Sequence, residues 1–109
     1  MTNQELKVIF FGTPEFARII LEKLIAVNYK PILVVTAPDA PVGRKQEMTP
    51  PPVKVLAGQH KIPVAQPEKI FSLQKDPADL IIVAAYGKIL SKDILDLPKY
   101  GALNVHPSL

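Results

Sequence analysis

An α/β fold, doubly wound with helices on both faces of a mostly parallel sheet, is predicted by three observations. KVIFFG (Lys7 to Gly12), PILVVTA (Pro31 to Ala37) and DLIIVAA (Asp79 to Ala85) are short apolar runs rich in Val and Ile. Their hydrophobicity is continuous rather than alternating, as in strands buried on both faces. Strand-like and helix-like segments then alternate along the chain, the order expected of parallel strands joined by helical crossovers.

Each element has its own justification. KVIFFG is the first strand. PEFARIILEKLIAVN follows, with Phe16, Ile20, Leu24 and Val27 on one helical stripe and Glu15, Arg18 and Glu22 opposite. Thr13 and Pro14 read as an N-cap and first helical position, and Glu15 adds a favourable charge to the first turn. PILVVTA is the second strand. Ala37 to Lys54, APDAPVGRKQEMTPPPVK, is expected to lack regular structure for some fifteen residues before a short helix from Pro52 to about Gln59. IPVA (Ile62 to Ala65) is a third strand and DLIIVAA a fourth. A helix over Ser91 to Leu97 leads to a last strand, ALNVH. The Gln66 to Pro77 link is short for a complete crossover helix.

Composition sets the bounds. The chain has 109 residues, 48% of them hydrophobic, enough for one domain. No run approaches the roughly 18 apolar residues of a membrane span. MTNQELKVIFFG carries Glu5 and Lys7 and lacks a signal-peptide pattern. The absence of cysteine excludes a disulfide framework and thiolate metal sites. A cytoplasmic setting follows as the expectation. A net charge of +3 permits an anionic partner without demanding one.

Four segments carry chemistry. FFGTPEF lies at the first strand-to-helix turn, but its single Gly12 is not the G-x-G-x-x-G of a dinucleotide site. A tight turn and a capped helix account for it equally well. In the proline-rich segment, Arg44 and Lys45 follow the flexible Gly43 and are placed to meet phosphates; on spacing alone, a solvated loop is the preferred reading. AAYGKIL leaves the carboxyl end of a central strand, the edge where open α/β sheets bind ligands. Gly87 allows close backbone approach there, and Tyr86, Ile89 and Leu90 are candidate pocket walls. A turn with buried hydrophobics is the better reading of that pattern taken alone. Last comes NVHPSL. On an extended strand Asn104 and His106 share a face, and Pro107 keeps that end extended. An amide beside an imidazole suits stabilisation of an oxyanion, although both residues also serve as plain hydrogen-bonding groups. Ser108 has no nucleophile elbow, and the isolated His60 and His106 make no metal site.

Taken in order, FFGTPEFA, PDAPVGRK, TPPPVK, AAYGKIL and NVHPSL resemble the catalytic domain of the methionyl-tRNA formyltransferases. The likeness covers the chain except the Gln66 to Pro77 link. NVHPSL by itself marks the wider group of folate-dependent formyltransferases, and PDAPVGRK with PPPVK narrows it. The resemblance implies a Rossmann-like formyltransferase fold, incomplete at the C-terminus, in a monomeric enzyme of the cytoplasm or an organellar matrix. It also implies transfer of the formyl group of 10-formyl-tetrahydrofolate, a co-substrate, to the α-amine of initiator methionyl-tRNA, with no metal. By the same resemblance Asn104 and His106 are catalytic. Ser108, Leu109, Tyr86, Gly87, Ile89 and Leu90 meet the folate, and Arg44 with Lys45 approaches the tRNA, which reverses the loop reading.

The family's catalytic aspartate and its Leu-Pro and Arg-Gly segment lie downstream of Leu109. Residues 1–109 are therefore expected to be the N-terminal part of a catalytic domain, inactive alone, without the family's C-terminal tRNA-binding domain. Lys45-Gln46-Glu47 is nearly neutral where the family often has a basic run. The competing readings are a folate-dependent formyltransferase acting on a sugar nucleotide or small amine, and a non-catalytic fragment that binds RNA or another ligand.

Overall fold

The computed structural model describes residues 6–67, 78–87 and 90–106. Five strands form one parallel sheet: β1 (Val8–Gly12), β2 (Leu33–Val35), β5 (Val64–Ala65), β6 (Leu80–Ala84) and β7 (Ala102–Asn104), in the order β5-β2-β1-β6-β7. All four pairings are parallel. Helix α1 (Glu15–Ala26) and helix α2 (Pro52–Gln59) pack on one face, and the single turn α3 (Lys92–Leu95) contributes Ile94 to the other. This is the predicted doubly wound, Rossmann-like architecture.

β1 shows why a continuous apolar run marks such a sheet. Val8 and Phe10 enter the core under α1 and α2, while Ile9 and Phe11 enter the core under α3. All five residues of the strand are buried, which only an element covered on both sides allows. Gly12 serves packing. A Cβ there would lie 2.6 Å from Ala17 Cβ, 2.7 Å from Phe10 Cε2 and 2.9 Å from the Ala84 carbonyl oxygen. The glycine lets α1 settle directly onto β1 and β6.

Several boundaries differ from expectation. The buried centre of α1 is Ala17 and Leu21, with Phe16, Ile20, Leu24 and Ile25 packed beside them. Val27 is instead the exposed C-cap. Thr13 is not the N-cap: that position is Pro14, with no side-chain cap, and the Thr13 hydroxyl is engaged elsewhere. Glu15 does stand in the first turn, where it pairs with Arg18, which also meets Glu22 at 3.0 Å. α1 ends in a Schellman motif with Asn28 left-handed at φ 68°, its N–H bonded to the Ile25 carbonyl and Tyr29 N–H to the Leu24 carbonyl. α2 ends the same way at Lys61, φ 58°.

The third strand is only Val64–Ala65, since Pro63 has no N–H to give and offers its carbonyl to Val34 N–H instead. The expected helix at 91–97 is a single turn, α3. Most of the Gln66 to Pro77 link lies outside the described residues.

The proline-rich segment is the largest correction. It contains an antiparallel hairpin, β3 (Ala40–Val42) with β4 (Glu47–Thr49), registered Ala40 to Thr49 and Val42 to Glu47. Gly43 (φ 75°) and Gln46 (φ 52°) turn the chain, and Gln46 N–H and Nε2 both donate to the Gly43 carbonyl. Every residue from 40 to 50 is exposed.

Candidate functional site at the carboxyl edge of the sheet

From β1 the chain builds outward to β2 and β5, then returns to the other side of β1 as β6 and β7. The order therefore reverses between β1 and β6, and the crevice beyond their carboxyl ends is the expected ligand position. Thr13 leaves β1 there, and Ala85, Tyr86 and Gly87 leave β6. The Thr13 hydroxyl donates to the Tyr86 carbonyl at 2.8 Å and accepts from Ala37 N–H at 3.2 Å. Thr36 Oγ1, fully buried at the end of β2, donates to Thr13 Oγ1 at 3.5 Å. One hydroxyl thus joins the ends of three strands that are distant in sequence.

Tyr86 was expected to wall a pocket; its ring instead sits in the core, 2% exposed and edge-on to Phe11 at 5.3 Å. Burial raises its phenol pKa, and the hydroxyl is buried without a partner among the described residues. Gly87 is open: its φ is 95°, and nothing lies within 4 Å of where a Cβ would stand. Ala85 precedes the pair with φ 56°, so the backbone twists sharply as it leaves β6. Leu90 packs against the core under α3. Ile89, Ser108 and Leu109 lie outside the described residues.

Asn104 ends β7 opposite Val83, which in turn faces Phe11 on β1. Val105 N–H donates to the Val83 carbonyl at 2.8 Å, continuing the extended pairing past the strand. Val105 packs on the core under α1 and α2. Alternation therefore puts Asn104 and His106 together on the opposite face, the one Phe11 and Tyr86 share. Both are exposed. Arg44 and Lys45 occupy the hairpin tip, far along the chain from this pair, and neither forms an ion pair among the described residues.

Sequence reasoning missed a second polar cluster at the hairpin's base. Asp39 accepts from Gln66 Nε2 at 2.7 Å and from Lys54 Nζ at 3.0 and 3.3 Å. Gln66 Nε2 also donates to the Ala37 carbonyl at 3.0 Å. These contacts, Gln66 first and Lys54 second, hold the Asp39 carboxyl below its ordinary range. Asp39 and Lys54 were visible in the quoted motifs, but nothing local pairs residues fifteen and twenty-seven positions apart. Among the described residues, no cluster of three or more His, Asp or Glu side chains is arranged to hold a metal ion. No described helix is long and apolar enough to cross a membrane.

A mostly parallel sheet whose order reverses beside β1 defines a fold class, and comparison with known families agrees with it. Residues 6–109 match the formyl transferase family, and the chain belongs to that family. Among individual relatives, the methionyl-tRNA formyltransferase of a Geobacillus species is 53% identical over 110 residues, covering 95% of this chain. The Staphylococcus epidermidis protein of that name is 54% identical over 109 residues, and that of Geobacter sulfurreducens 49% over 110. The chain spans about a third of the length of these relatives, 35% of each.

Proposed function

We propose that this chain supplies the N-terminal part of the catalytic domain of a cytoplasmic enzyme. The enzyme moves the formyl group of 10-formyl-tetrahydrofolate to the α-amine of methionine on initiator tRNA. The observation that carries the reading is the placement of Asn104 and His106 on one face at the carboxyl edge, in a chain about half identical to proteins named for this reaction.

The chemistry is acyl transfer. The amine nitrogen attacks the formyl carbon, the carbonyl oxygen becomes a tetrahedral oxyanion, and the bond from carbon to N10 of the folate breaks. The proton lost by the amine ends on N10. Asn104 Nδ2 donates to the developing oxyanion, a contact stronger in the transition state than in the ground state. His106, two residues on, stabilises the same charge or carries the proton between the two nitrogens. The open backbone at Gly87 receives the flat edge of the pterin. Arg44 and Lys45 meet phosphates near the acceptor end of the tRNA.

Two measurements test this. In a chimera joining residues 1–109 to the remaining two thirds of the Geobacillus relative, Asn104→Ala should lower kcat by about 10²–10³, the usual effect of losing an oxyanion donor. An unchanged kcat overturns the catalytic assignment. Arg44→Ala should weaken binding of an acceptor-stem RNA and lower the salt slope by about 1. If that substitution has no effect, the acceptor is a small amine rather than tRNA.

A further inference from the structure

The hairpin that carries Arg44 has little of its own to aim it. Its strands are three residues each, and a lone two-stranded hairpin is at best marginally stable. Every residue from 40 to 50 is exposed, and among the described residues none of them packs against either core cluster. Its direction must be set at the base, where the chain arrives from β2 and leaves toward α2.

The outgoing arm is stiff. Pro50 and Pro51 precede Pro52 at the first position of α2, and Pro51 is buried with φ −59° and ψ 149°, a polyproline conformation with little freedom. The incoming arm, Ala37 to Asp39, has one proline, Pro38, against three in the outgoing run. Side chains also hold it. Lys54, just past the outgoing arm, reaches across to both carboxylate oxygens of Asp39. Gln66, beyond β5, divides its two amide hydrogens between Asp39 and the Ala37 carbonyl. The other side of the same residue, Ala37 N–H, donates to Thr13, and Thr13 donates to Tyr86. A single polar chain therefore runs along the carboxyl edge from the loop after β6 to the hairpin base.

We propose that Asp39, clasped by Lys54 and Gln66, is a positioning residue that sets the direction in which the hairpin presents Arg44 relative to the crevice. Asp39 touches no substrate in this scheme; it acts through the backbone of the hairpin. Lys54 is the other jaw of the clasp, its ammonium set against the Asp39 carboxylate. That the hairpin meets RNA rests on the function proposed above; that the clasp aims it does not.

The chain has no cysteine, so spin labels can be placed at will. Labels on Met48→Cys in β4 and Lys23→Cys in α1, both exposed, report the hairpin's direction by pulsed electron–electron resonance. The parent should give one narrow distance distribution. Asp39→Asn and Lys54→Met should each broaden it, and the double variant should be no broader than either single one, since each removes the same ion pair. Arg18→Met removes ion pairs on α1 and should leave the width unchanged, separating aim from loss of stability. An unchanged distribution in Asp39→Asn and Lys54→Met, with both folded by circular dichroism, overturns the proposal.

The RNA arm separates the two readings. Arg44→Ala should weaken acceptor-stem RNA binding in the parent by about fivefold, as expected for one phosphate contact, and by much less when Asp39 is already Asn. Broadened distances with no effect of Arg44→Ala support the clasp and remove the RNA reading. Equal effects of Arg44→Ala in both backgrounds show that aim does not matter to binding and overturn the functional half of the proposal.

Discussion

Replacing Gly12 with alanine is a one-methyl perturbation whose cost can be worked from the structure. The new Cβ would stand 2.6 Å from Ala17 Cβ, 2.7 Å from Phe10 Cε2 and 2.9 Å from the Ala84 carbonyl oxygen, against about 3.5–4.0 Å for relaxed carbon contacts. Only the Phe10 ring can swing away. Ala17 Cβ has no rotamer, and the Ala84 carbonyl belongs to β6, registered directly opposite Gly12. Relief therefore requires α1 to lift from the sheet, loosening the buried Ala17 and Leu21. Overpacking of this kind costs about 1–3 kcal/mol, and the rigid neighbours put this case in the upper half of that range. The gain from stiffening the unfolded chain, about 0.4–1 kcal/mol, offsets only part. A net loss of about 2 kcal/mol lowers Tm by on the order of 10 °C in a domain this small. Urea and thermal unfolding followed by far-ultraviolet circular dichroism measure it. Gly58→Ala is the matched control. That glycine lies in α2 with nothing within 4 Å of its missing Cβ, so the same substitution should stabilise by about 0.5–1 kcal/mol. A Gly12→Ala protein within about 0.5 kcal/mol of wild type would refute the packing argument, since only surface changes are usually that mild.

Three other outcomes are expected. Thr13→Val keeps the shape but strips the hydroxyl from the Tyr86 carbonyl and Ala37 N–H; urea unfolding should show a loss of about 1–3 kcal/mol, and an unchanged midpoint would mean these groups find other partners. Tyr86→Phe removes a buried hydroxyl that has no partner among the described residues, so stability should hold or rise by up to about 1 kcal/mol, and a clear fall would reveal a bond to that oxygen. The Asp39 carboxyl is held below its ordinary 3.8 by Gln66 and then Lys54. Its contribution is therefore complete above the unfolded-state value and is lost as pH falls through the lower folded-state value. The stability difference between wild type and Asp39→Asn should be flat from neutral pH to about pH 5 and shrink below about pH 4; a difference that persists in acid would show that the carboxylate charge is not what holds the clasp.

Parts of this molecule were legible because their signals are local. The five buried residues of β1 announce themselves as an unbroken apolar run. Pro52 marks the start of α2 because a proline at the first helical position loses no bond. Asn104 and His106 share a face by the two-residue period of an extended chain, which needs no knowledge of the neighbours. The hairpin was illegible for the opposite reason. Its strands are wholly exposed, so no buried face imposes an alternating pattern, and its turn depends on Gln46 adopting a left-handed backbone that no composition rule assigns to glutamine. Thr13 had the look of an N-cap. Its hydroxyl went to Tyr86, seventy-three residues away, once β6 had paired beside β1.

By itself the sequence determined the alternation of strands and helices, the two-sided burial of the sheet and the residue types at its carboxyl edge. Periodicity and backbone preference act over a few neighbours and leave their mark on the residues that carry them. Only the tertiary structure decided that β6 lies against β1, that Tyr86 turns its ring into the core while Gly87 stays open, and that Asp39, Lys54 and Gln66 close the base of the hairpin. Those outcomes rest on hydrogen bonds and close contacts between distant residues, and such partners are chosen by the packing of the whole sheet rather than by any stretch of chain.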